Sequence, residues 1–213
     1  MKDFVNKYGL SSSSLHIIAM FLMLLDHIWG TFPNTSDILT DLGRLSFPIF
    51  AFMIAEGFRR TSNVKKYMLR MLIFAIIAEI PFNLMTEGLI IYPFHQNVLW
   101  TFLIALVGMY LIENIKNKDK NIFNTFKVFW IVIGTCLLSF IGMCDYNLGG
   151  VLMVYVFYFL NEDSLMNKLY QLICMYYINF ELLKGYYFNI NIFNHTFEIQ
   201  RQGLAIFSLL IIW

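Results

Sequence analysis

Of 213 residues, 59% are hydrophobic and 18% aromatic, only 14% are charged, and the formal net charge is +1. That balance excludes an ordinary soluble globular domain, places the chain in a lipid bilayer, and leaves no basic surface for a nucleic-acid partner. Cys136, Cys144 and Cys174 lie in or beside apolar runs without paired or metal-ligand spacing, so they read as small buried hydrophobes, and no metal is expected.

In chain order the apolar segments cover residues 15–29, 45–58, 67–84, 97–115, 128–143, 148–160, 165–180 and 203–213. About eight such segments predict an all-α fold, a polytopic transmembrane helical bundle. Neither an internal repeat nor a linker divides it, so one integral membrane domain is expected over 1–213, with 1–14 a cytoplasmic tail and 15–213 the bundle. The first segment lacks a small-residue cleavage pattern and reads as an uncleaved helix. The last holds about eleven apolar residues, too few at 1.5 Å each to cross a core of ~30 Å, so a truncated C-terminal helix is expected.

Lysine and arginine set the orientation, because cytoplasmic connections retain positive charge. Lys2 and Lys7 precede the first segment; Arg59, Arg60, Lys65 and Lys66 follow the second; Lys116, Lys118, Lys120 and Lys127 follow the fourth; Lys168 lies near the sixth-to-seventh turn. The connections 30–43, 85–96 and 144–147 contain no Lys or Arg, and 181–202 carries only Lys184 and Arg201. These should face outward, with the N-terminus cytoplasmic.

In that topology Asp26 and His27 end the first segment, Arg44 opens the second, Glu79 and Asn83 close the third, Gln96 and Asn97 open the fourth, and Asp145 closes the fifth. All fall at the extracytoplasmic interface. A charged side chain deep in a membrane helix costs about 2.5–3.5 kcal/mol, so charges there pair or do chemistry. His27 is the natural centre, since imidazole takes and returns a proton near neutral pH. Adjacent helical residues point about 100° apart, so Asp26 is expected to pair with Arg44 rather than the ring, leaving Glu79 or Asp145 to orient the imidazole.

Each of these residues also has a plain reading. His27 suits a helix C-terminus, Arg44 can snorkel to headgroups, and Asn83, Gln96 and Asn97 can glue helices together instead of orienting a substrate carbonyl. Asp145 begins a turn before Gly149 and Gly150, which could admit a neighbouring helix or a substrate. At the opposite end Glu56 and Arg60 have helical ion-pair spacing beside Arg59, Lys65, Lys66 and Arg70. That cluster reads either as topological charge or as a landing site for a phosphorylated cytosolic donor. His16 and His95 stand alone and receive no role.

The stretches Ile17, Ile18, Ala19, Met20 through Met23, Leu24, Leu25, Asp26, His27; Gly43, Arg44, Leu45, Ser46, Phe47, Pro48, Ile49, Phe50, Ala51, Phe52; and Glu56, Gly57, Phe58 resemble the TraX family, bacterial membrane proteins named after the F-pilin acetylase. Tyr67, Arg70, Phe74, Glu79, Ile80, Pro81, Phe82, then Gln96, Asn97, Val98, then Asp145 and Tyr146 continue the resemblance. Position 16 is His where the family is expected to carry Lys, and position 83 is Asn where an acid is expected. The resemblance implies acyl transfer, typically N-acetylation of a protein amino terminus, on a fold similar to other transmembrane acyltransferases of the bacterial inner membrane, with the first-helix histidine catalytic.

The expected reaction takes acetyl from acetyl-CoA to an extracytoplasmic protein or small-molecule acceptor, above all a pilin-like amino terminus. His27 would act as general base or form an acyl-imidazole; Asp26 or Glu79 would orient it, and Arg44 or Asn97 would stabilise the oxyanion. Asn83, Gln96, Asn97 and Asp145 would bind the acceptor side, and Arg59, Arg60 and Arg70 the donor. Two other readings use the same residues: a proton-coupled transporter or flippase with Asp26, His27, Glu79 and Asp145 as relay, and a non-catalytic scaffold for conjugation or pilus assembly.

Overall fold

The computed structural model describes residues 11–116, 122–192 and 195–213. Lys2, Lys7, Lys118, Lys120 and most of the expected N-terminal tail lie outside the described residues. Helix α1 spans Ser12–Thr31, and the serine run explains its start: the Ser11 hydroxyl accepts from the Ser14 amide at 3.1 Å. Helices α2 (Ile38–Gly43), α3 (Ser46–Arg60), α4 (Val64–Thr86), α5 (Val98–Lys116), α6 (Ile122–Ile141), α7 (Asn147–Phe159) and α8 (Leu165–Tyr177) follow. Asn63 caps α4 through the Lys66 amide, and Ser164 caps α8 through that of Asn167. The chain is thus all-α in class and multi-pass. Five helical stretches are long and apolar enough to span a bilayer: α1, α2 with α3, α4, α5 and α6. Phe74 and Ile77 on α4 and Phe129 and Phe140 on α6 are exposed, as lipid-facing side chains are.

Four segments differ from the sequence expectation. The connection 30–43 contains α2. The 165–180 segment ends as helix at Tyr177 and continues as a π-helical turn, Ile178–Leu183. The stretch 181–202, expected as a loop, holds an antiparallel hairpin of β1 (Tyr187–Ile192) and β2 (His195–Gln200), Tyr187 facing Gln200 and Ile192 facing His195. Phe188, Ile190 and Ile192 alternate with Asn189 and Asn191, a period of two that marks a strand. The 203–213 segment divides between a 3₁₀ helix, Arg201–Ser208, and one turn of α-helix, α9 (Leu209–Ile212).

The chain forms two compact units, Met1–Met53 with Lys184–Trp213, and Ile54–Leu183, the division falling within α3. In the first, Leu15, Ala19 and Leu22 form one stripe of α1 and pack on Ile49 and Met53, with Ile211 and Ile212 against them. In the second, α5 packs against α4, α6 and α7. Gly108 of α5 faces the Tyr155 hydroxyl so closely that an added Cβ would lie 1.8 Å from it, and that hydroxyl is bonded to Thr135 at 2.9 Å. Gly149 likewise admits Leu183, whose Cδ2 would stand 2.7 Å from a Cβ, so one glycine after the Asp145 turn does permit a close approach.

Candidate active site

In the first unit α2 crosses the end of α1 at a point where only glycine fits. A Cβ on Gly43 would fall 2.5 Å from Asp26 Cβ and 3.0 Å from Asp26 Cα. The contact brings three polar side chains together. Arg44 Nη2 lies 3.2 Å from Asp26 Oδ1, the fully buried Thr40 hydroxyl donates to the same oxygen at 2.7 Å, and Arg44 Nη2 donates to Thr40 Oγ1 at 2.7 Å. Gln202 Oε1 accepts from Arg44 Nη1 at 3.5 Å. Asp26 therefore pairs with Arg44 and not with the adjacent His27 ring. The half-buried His27 ring, one residue on, makes no hydrogen bond or ion pair among the described residues.

A second group of ion pairs closes the same unit. Arg201, with 11% of its side chain exposed, bonds Asp37 at 2.6 Å and Asp41 at 2.7 Å, and Trp29 Nε1 donates to Asp37 at 3.0 Å. These bonds hold α2 and the 3₁₀ helix together, so the connections 30–43 and 181–202 share one end of the unit.

In the second unit Glu79 accepts from Trp100 Nε1 at 3.0 Å and from the Asn97 side-chain amide, which also donates to the Ala75 carbonyl at 2.9 Å. α4 continues through Pro81 to Thr86, and the buried Asn83 points Nδ2 at the Ile90 carbonyl, 3.4 Å away. Its Oδ1 has no hydrogen-bond partner among the described residues. Gln96 acts through its backbone: its amide donates to Met143 O at 3.0 Å and its carbonyl accepts from the Asp145 amide at 2.8 Å, while its side chain turns to Pro93 O. These bonds tie the 85–96 and 144–147 connections into one end.

Asp145 serves the turn and an ion pair at once. Its carboxylate accepts from the Tyr146 amide at 3.0 Å and lies 3.9 Å from His95 Nε2. The pairing with the Asp145 carboxylate holds the His95 imidazole above its ordinary value; partial burial pulls it down, and the charges of Asp145, Glu87 and Glu79 push it up again.

At the opposite end Glu56 binds both Arg59 and Arg60, the latter at 2.8 Å. Arg59 also donates to the Phe157 carbonyl at 3.0 Å, capping α7, whereas Arg70 is exposed on α4. Each unit thus gathers its own share of the expected site residues: Asp26 with Arg44; Glu79 with Asn97; Gln96 with Asp145; Arg59 with Arg60. Thr40, Trp100 and Gln202 received no mention in the sequence reading, Arg201 counted there only as a loop charge, and His95 was given no role. Thr40 stands four residues before Arg44, a helical spacing that could have disclosed it. Arg201 and Gln202 are separated from their partners by more than half the chain, and no local pattern marks them.

The chain matches the family described as TraX protein over residues 11–196. It belongs to the TraX family. Within it, the matched region contains every residue of the Asp26–Thr40–Arg44 group and of the Glu79–Asn97–Trp100 group, and stops short of Arg201 and Gln202. The chain is also similar to a probable fimbrial assembly protein FimC, serogroup H1, of Dichelobacter nodosus, 31% identical over 110 residues. That similarity covers 46% of this TraX-family chain and 45% of the relative, so the chain matches about half the length of that protein. No solved structure matches.

Proposed function

We propose that this TraX-family protein is a membrane-embedded acyltransferase of the bacterial inner membrane, N-terminus cytoplasmic, moving acetyl from acetyl-CoA to an extracytoplasmic amine. The favoured acceptor is the amino terminus of a pilin-like protein, a reading supported by the family and by the fimbrial assembly protein to which part of the chain is similar. The single observation that carries the reading is an unengaged His27 ring beside a fixed Asp26–Thr40–Arg44 group.

In this reading His27 takes a proton from the acceptor ammonium. The freed amine attacks the thioester carbonyl carbon, the C–S bond breaks, and the departing CoA thiolate takes up the second proton of the attacking nitrogen and leaves as the thiol. A base poised near neutrality contributes about 10²–10⁴-fold to such a step. Asp26, bonded to Thr40 and Arg44, holds the end of α1 in register, and the remaining N–H groups of Arg44 are the candidates for the carbonyl oxygen as it gains charge. The amide of Asn97 is already bonded to Glu79 and Ala75, so in this reading it positions α5 against α4 and takes no part in binding the oxyanion. Acetyl-CoA-dependent release of CoA in the natural protein and its loss in a folded His27→Ala variant test the reading.

The name of the similar protein favours one alternative, a non-catalytic part in pilus assembly. In that case the ion pairs only hold helices together, and pilin binding persists in His27→Ala.

A further inference from the structure

We propose that the second unit carries a binding site for a nucleotide phosphate at its lysine- and arginine-rich end, with Lys116 as the cation that grips it. A cavity of about 430 Å³ opens there between α3, α5 and α7, lined by Arg59, Glu113, Lys116, Tyr158, Phe159 and Asn161 among others. Its volume lies in the ~300–1,000 Å³ range of small-molecule sites. Two cations face one acid in that lining, and the acid is engaged: Glu113 accepts from the Tyr158 hydroxyl at 2.9 Å. Arg59 is held by Glu56 and by the carbonyl end of α7, so it supplies fixed positive charge.

Lys116 is different. Its ammonium lies 5.0 Å from the Tyr158 ring centre and 4.9 Å from that of Phe159, and no carboxylate lies within ion-pair distance among the described residues. Aromatic faces hold a cation without neutralising it. The arrangement offers an ammonium to an oxyanion, a partly exposed Phe159 ring to a planar base, and the exposed Asn161 amide to the base edge. This chemistry belongs to a free adenine nucleotide or to the nucleotide portion of coenzyme A. If the ligand is coenzyme A, the inference deepens the acyl-transfer reading and rests on it.

Calorimetric titration of the full chain in lipid nanodiscs with coenzyme A and with ADP, in the absence of any acceptor, tests the site. Saturable binding that weakens at least tenfold in Lys116→Gln, and also in Asn161→Asp, which adds a negative charge at the exposed rim without disturbing packing, supports it. Binding of ADP as tight as that of coenzyme A assigns a free nucleotide, and binding of coenzyme A alone assigns the acyl donor. No binding of either ligand, or binding unchanged in both variants, overturns the proposal. Coenzyme A bound through Lys116 but never turned over would remove the acyl-transfer reading and leave this site standing.

Discussion

Arg44 stands 3.2 Å from Asp26 across two helices, and the hydroxyl of Thr40 bonds both partners. The ion pair is one-fifth to one-quarter exposed, so the charges alone contribute modestly; the buried hydroxyl that joins them sets the geometry. Thr40→Val keeps the shape and removes the bond to each partner. It should lower stability by about 1–3 kcal/mol, the usual cost of leaving such groups unsatisfied, measured by thermal unfolding in detergent.

Gly43→Ala tests the close approach that makes this geometry possible. The new Cβ would meet the Cβ and backbone of Asp26, which cannot swing away as a flexible side chain would. A destabilisation of about 1–3 kcal/mol is expected, together with reduced turnover because the end of α1 that carries His27 is displaced. Paired melting and CoA-release assays would reveal both effects.

In the second unit, Gly108→Ala should destabilise by a similar ~1–3 kcal/mol, because its methyl would overlap the Tyr155 hydroxyl. Since the clash is with an oxygen, Tyr155→Phe in the Gly108→Ala background should recover part of the loss. A double-mutant cycle that comes out additive would show that the two residues do not meet.

The His95–Asp145 pair gives a pH dependence whose sign is fixed. The folded-state pKa of His95 is raised, so its contribution is fully present below the ordinary histidine value near 6.5 and is lost as pH rises through the folded value. The melting-temperature difference between the natural protein and His95→Gln should be larger near about pH 5.5 than near about pH 8.5. Both side chains are more than one-third exposed, so the effect is small and shrinks in salt.

Much of this arrangement could be read from the sequence because membrane insertion penalises charge so strongly. Asp26, Arg44, Glu79 and Asp145 each stand out against apolar surroundings. Thr40 and Trp100 did not stand out, since hydroxyls and indoles are ordinary at interfaces. The hairpin was hidden because strand periodicity within 181–202 is short and the surrounding segments are helical. His95 was passed over for lack of a neighbour in sequence; its partner Asp145 arrives only through the backbone bonds of Gln96 with Met143 and Asp145.

His27 is the residue on which the proposed transfer depends. Acetyl-CoA turnover by the full chain in nanodiscs, followed as free CoA with an amine-bearing pilin-like peptide present, should fall by about 10²-fold or more in His27→Ala, with melting unchanged. Turnover retained in that folded variant, or absent from the natural protein, would contradict the assignment of His27 as the base of an acyl transfer.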